Sequence, residues 1–122
     1  ALDSNSALAW NNFGICALEQ KDYEQAEKCF RQALLIEPEN RQALTNLASL
    51  LLSLARWPEA AEYYLRLLKI APADAVSHNN LAYIYYRLKE YKKAWDHIQQ
   101  ALSLGLEVHP DFVEEVRKKV GK

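Results

Sequence analysis

The chain nearly repeats itself. Shifted by 34 residues, positions 7–40 fall on 41–74, and these on 75–108, without a gap. A unit of this length is too short to bury its own apolar face, so such a chain folds by stacking like units into an array rather than around one central core. The agreement extends to residue order. Trp10-Asn11-Asn12-Phe13-Gly14, Leu44-Thr45-Asn46-Leu47-Ala48 and His78-Asn79-Asn80-Leu81-Ala82 each read large, polar, Asn, large, small. Further along, Tyr23, Trp57 and Tyr91 share a register, then Ala26, Ala60 and Ala94, then Phe30, Tyr64 and Ile98; Pro38 and Pro72 close the first two units.

Each unit holds two amphipathic runs with apolar residues three and four apart, separated by a short polar turn, which predicts a pair of antiparallel helices. The helices are expected over 7–20, 24–36, 41–54, 58–70, 75–88 and 92–104. Ser6, Asn40 and Asp74 are N-cap candidates and Pro58 suits a first helical turn, because these residues satisfy or do without the orphan N–H groups. Gly14, Ala48 and Ala82, opposite Ala26, Ala60 and Ala94, let the helices of a pair approach closely. Phe30, Tyr64 and Ile98 fill the space against the next pair. The order W-x2-L-G-x2-Y, A-x3-F and a final P at this period resembles the tetratricopeptide repeat. The first unit matches best, through Trp10, Phe13, Gly14, Ala26, Phe30 and Pro38, with Ala17 where the pattern has a tyrosine that the third unit supplies as Tyr85. The third unit has His78 for the tryptophan and Leu106 for the proline, after a glycine stop at Gly105. No unit has glycine in its helix-to-helix turn, where Lys21, Ala55 and Lys89 stand. The resemblance implies an all-α, right-handed superhelical solenoid of antiparallel helix pairs, with repeats at 7–40, 41–74 and 75–108.

The ends follow from the same register. Residues 1–6 fall on 35–40, so they are expected to be the tail of an earlier unit, about 28 residues of which would lie upstream. Residues 109–122 are expected to hold a seventh, capping helix from Pro110 to about Val120. Phe112, Val113, Val116 and Val120 would form its apolar side, covering the last interface of the array while its charged side stays wet.

Charge and composition narrow the function. With 15 Lys+Arg against 16 Asp+Glu the formal charge is -1, which gives none of the electrostatic footprint of a nucleic-acid or anionic-membrane binder. The apolar run from Leu50 to Ala55 is interrupted at Ser53 and closed by Arg56, far short of the roughly 20 residues of a membrane span. Cys16 and Cys29 form no metal-binding spacing and are expected as free thiols, buried or half-buried. His78, His97 and His109 fall on different elements, and no nucleophile motif or glycine-rich phosphate loop is present, so no enzyme activity, metal or cofactor is expected. No compartment is read from the chain, with the cytoplasm slightly favoured. Residues 1–40 carry 3 basic and 7 acidic side chains against 8 and 6 in 75–122, which leaves head-to-tail self-association conceivable.

In the solenoid that the resemblance implies, the first helix of each unit lines the concave side. Asn12, Asn46 and Asn80 then form a row that repeats identically, with Asn11, Thr45 and Asn79 beside it. A primary amide offers two donors and an acceptor, so it can pair with the N–H and C=O of an extended peptide without reading its side chains. The row is similar to the asparagine ladder of the O-linked N-acetylglucosamine transferases; the alternative is a merely polar face, or amides bonded to the next helix. Ile15, Ser49, Tyr83, Tyr86 and Arg87 complete the candidate groove. Tyr83 and Tyr86 are either partner anchors or half-buried structural tyrosines, whereas Tyr64 and Tyr85 belong to the core. The scarcity of Lys and Arg on these faces argues against capture of a terminal carboxylate. The function expected is a protein or peptide interaction module, with a structural or self-assembling array as the alternative.

Overall fold

The computed structural model describes residues 6–121, and within them the chain forms seven helices. These are α1 (Ala7–Glu19), α2 (Tyr23–Ile36), α3 (Arg41–Ser53), α4 (Trp57–Ile70), α5 (Ala75–Arg87), α6 (Tyr91–Ser103) and α7 (Pro110–Lys119). Each expected boundary lies within a residue of the observed one. The fold is an all-helical solenoid of three helix pairs and a terminal helix. Of residues 1–6, expected to be the tail of an earlier unit, 1–5 lie outside the described residues.

The first helix of each pair starts at a cap readable in the sequence. Ser6, Asn40 and Asp74 each take extended backbone and accept from the N–H three residues on, at Ala9, Ala43 and Ser77. The second helices start differently. Asp22 caps α2, Pro58 occupies the first turn of α4, and Glu90 precedes α6 without a side-chain capping bond.

The turns within pairs share one geometry. Lys21, Ala55 and Lys89 take φ of 61°, 59° and 63°, the left-handed region usually reserved for glycine. After α1, Asp22 N–H donates to Ala17 O and Lys21 N–H to Leu18 O, the paired bonds of a Schellman stop; the same pair recurs after α3 and α5. After α6, Gly105 takes the left-handed place at φ 91°, as its position suggested.

The core runs the length of the stack. Ala26, Ala48, Ala60, Ala82 and Ala94 are sealed where helices cross, with Phe30, Tyr64, Leu67 and Ile98 filling between pairs. Trp10 and Trp57 pack at its edge, half-buried rather than enclosed. Val116 of α7 is fully buried, and Phe112 and Val113 pack against the core beside it. Cys29 is buried, but Cys16 is exposed, against the expectation for both; they are free thiols. Its register equivalents Leu50 and Ile84 are enclosed because a preceding pair packs on them, and the described residues put no such pair before α1.

Candidate functional site

Of the asparagine row, α1 and α3 bring Asn12 and Asn46 together, while Asn80 stands on α5. Between α1 and α3 lies a depression of about 430 Å³ lined by Leu8, Asn12, Ile15, Arg41, Gln42, Thr45 and Asn46. Leu8 and Ile15 are exposed apolar side chains, so the depression has an apolar wall beside its amides.

The three asparagines have different surroundings. Asn12 is exposed and makes no hydrogen bond among the described residues. Asn46 is half-buried and its Nδ2 donates to Asn11 Oδ1 at 3.4 Å. Asn80 is half-buried and donates to the Tyr64 hydroxyl at 3.0 Å, with Ser49 Oγ 3.4 Å from the same oxygen. Burial pushes the Tyr64 hydroxyl above its ordinary pKa, so it stays protonated across the physiological range. Asn46 and Asn80 each commit one amide N–H to a neighbour and keep a second N–H and a carbonyl oxygen.

Asn11 does not reach the groove. It is 1% exposed, and its Nδ2 donates to Asn40 Oδ1 at 3.1 Å, while Asn40 Nδ2 donates to Glu37 Oε2 at 2.8 Å. A chain of amides thus ties α1 to the start of α3. Asn79, in the same register, is half-buried.

The aromatic end of the groove is arranged by α7. Phe112 packs against Tyr83 (6.3 Å between ring centroids) and edge-on against Tyr86 (5.6 Å). The Tyr86 hydroxyl donates to Glu115 Oε1 at 2.5 Å, so Tyr86 is half-buried and fastens α7 to α5. Tyr83 stays 41% exposed, edge-on to Trp57 at 5.7 Å, and the Arg87 guanidinium lies 5.5 Å from the Trp57 ring centroid. Of the two tyrosines, only Tyr83 presents a substantial open face.

One cluster was missed from sequence. His78 Nδ1 lies 2.9 Å from His97 Nδ1, His78 Nε2 lies 3.0 Å from Pro72 O, and Tyr85 stacks on the His97 ring. A carbonyl only accepts, so His78 Nε2 donates to Pro72 and its Nδ1 accepts from His97 in the neutral pair. Burial first, then the neighbouring His78, lowers the His97 pKa, against a smaller opposing effect of Asp96. The available signal was register: His78 and His97 stand on the two helices of one pair, where the second unit has Leu44 and Tyr63. Among the described residues no group of three or more His, Cys, Asp or Glu is placed to hold a metal.

Comparison with known proteins agrees with this architecture. The family model of the cilia and flagella-associated protein 70 middle TPR-like domain matches residues 1–85, and a tetratricopeptide-repeat model matches 75–104. The human N-alpha-acetyltransferase 16, NatA auxiliary subunit is 30% identical over 92 residues, covering 75% of this chain; the chain spans 11% of that relative's length. Among solved structures, the Arabidopsis OM64 TPR domain superposes with a TM-score of 0.81 at 18% identity, covering 92% of this chain and 94% of that one. The first TPR of Spaghetti (RPAP3), bound to the HSP90 peptide SRMEEVD, gives 0.79 at 20% identity, covering 98% and 94%.

Proposed function

This chain belongs to the tetratricopeptide-repeat family, among the middle TPR-like domains named for cilia and flagella-associated protein 70, and from that premise we propose that it is a non-catalytic interaction module holding an extended peptide segment of another protein. The observation that carries this is the depression between α1 and α3. There the exposed Asn12 and the remaining donor and acceptor of Asn46 stand beside the apolar Leu8 and Ile15. Amides suit a peptide backbone and the apolar wall suits one of its side chains, while Tyr83 extends the surface over α5. That the similar Spaghetti (RPAP3) domain was solved bound to a peptide supports a peptide as the kind of partner. With only Arg41 and Arg87 as cations among its candidate residues, the groove favours backbone recognition over capture of a terminal carboxylate.

The test is a selection of random short peptides displayed against the domain, followed by calorimetry of the best binder. Asn12→Ala with Asn46→Ala is expected to weaken that binder about tenfold, since two lost hydrogen bonds at about 0.5–1.5 kcal/mol each reach the 1.4 kcal/mol of one decade. Ile15→Asp is expected to weaken it further. Binders that tolerate both changes, at unchanged thermal stability, would move the function to another surface.

A further inference from the structure

The turn between α5 and α6 and the end of α7 enclose a second depression, of about 450 Å³. Tyr91 and Val120 provide its apolar floor, and Lys89, Lys92, Lys93 and Lys119 its rim. Glu90 is its one acidic member, and that carboxylate pairs with Lys93 at 3.3 Å. Lys119 stands 5.5 Å from the Tyr91 ring centroid and Lys93 5.4 Å from that of Tyr85, so two of the ammonium groups are aligned by aromatic faces.

The repeat does not require this charge. The same turn reads Lys21-Asp22-Tyr23-Glu24-Gln25 in the first unit and Ala55-Arg56-Trp57-Pro58-Glu59 in the second. Where those units put Glu24 and Glu59 at a helix N-terminus, the third puts Lys92 and Lys93, against the preference of the helix dipole. Lys89 stands beside them at the turn, where the first unit also has a lysine, Lys21. Two locally disfavoured lysine placements thus fall on one depression, the pattern expected where a local rule is broken for function.

We propose that this depression is a second docking site, separate from the groove, for an acidic segment of a partner protein carrying one apolar side chain among its carboxylates. The apolar side chain would rest on Tyr91 and Val120, and flanking carboxylates would meet Lys89, Lys92 and Lys119, whose ammonium groups have no ion pair among the described residues. Exposed lysines confer on-rate and selectivity more than raw affinity, so binding here depends strongly on salt.

The experiment is fluorescence anisotropy with a capped, labelled peptide of glutamates around a single leucine. The protein is compared with Lys89→Gln/Lys92→Gln/Lys119→Gln and with the Asn12→Ala/Asn46→Ala groove variant. The lysine variant is expected to bind about tenfold more weakly and with a flatter salt dependence, and the groove variant to bind as the unaltered protein does. A peptide with serine for leucine is expected to lose affinity too. If the triple variant melts early, the single Lys92→Glu reversal carries the same prediction. The proposal is overturned if the peptide does not bind, if the lysine variants bind it unchanged, or if only the groove variant loses it. It is also overturned if a short DNA duplex of equal charge binds more tightly at these lysines, which would make the patch a nucleic-acid surface.

Discussion

At Gly14 the first helix pair comes closer than a side chain allows. A Cβ there would lie 2.4 Å from a ring carbon of Phe30, which is fully buried and has no room to swing away. The later units meet the same need with other partners, Ala48 with Tyr64 and Ala82 with Ile98. Gly14→Ala is therefore expected to destabilise the protein by up to ~2 kcal/mol: overpacking costs about 1–3 kcal/mol, and the better helix propensity of alanine returns about 1 kcal/mol. Thermal melting would measure the net. The His78–His97 pair yields a pH prediction. Because the folded His97 pKa lies below its ordinary 6.5, the unfolded chain binds the proton first, and stability falls as pH drops from about 6.5 toward the lowered value. His97→Tyr, which restores the residue type of Tyr63 in the second unit, is expected to flatten that slope between neutral pH and pH 5 in melts across that range. The histidine contact was legible only through register, and the burial of Asn11 not at all. Asn11, Thr45 and Asn79 share a register, and the neighbours Asn40 and Asn46 hold the first of them inside.

Helices and their ends were the most legible level, since apolar spacing and capping residues are local signals that the stack does not override. The left-handed turns were not legible, because Lys21, Ala55 and Lys89 carry no preference for them. Their conformation is imposed by the Schellman bonds and by the need to reverse the chain in so few residues. Ala55→Gly is accordingly expected to stabilise by ~0.5–1 kcal/mol: relief of a left-handed alanine is worth about 1–2 kcal/mol, less the added freedom of glycine in the unfolded chain. A higher urea midpoint at unchanged slope would show it. The seventh helix is legible as a cap through Phe112, Val113 and Val116, but the sequence does not say that Phe112 and Glu115 would take up Tyr86 and leave Tyr83 open.

Over the whole molecule, neighbouring units are tied by charge as well as by packing. Arg56 reaches back to Glu27 at 2.6 Å and along its own turn to Glu59 at 2.8 Å, while Arg31 donates to the Tyr63 hydroxyl at 2.8 Å and to Glu59 at 3.3 Å. Hydrogen bonds from Arg56, ahead of all other influences, hold both carboxyls below their ordinary 4.5. Their contribution is thus complete above about pH 4.5 and is lost as pH falls through the lowered values. Arg56→Ala is expected to cost ~1 kcal/mol at neutral pH, a modest figure because the network is partly exposed, and to weaken the acid dependence below pH 4.5 in parallel denaturant titrations. The sequence by itself determined the repeat, the helices, their caps, the sealed small residues and the row of asparagines, because period and local chemistry act along the chain. Only the tertiary structure decided which asparagines stay open, which histidines meet, and that lysines from a turn and from a distant terminal helix surround one tyrosine. Those outcomes depend on contacts between units, where residues of identical register meet different neighbours.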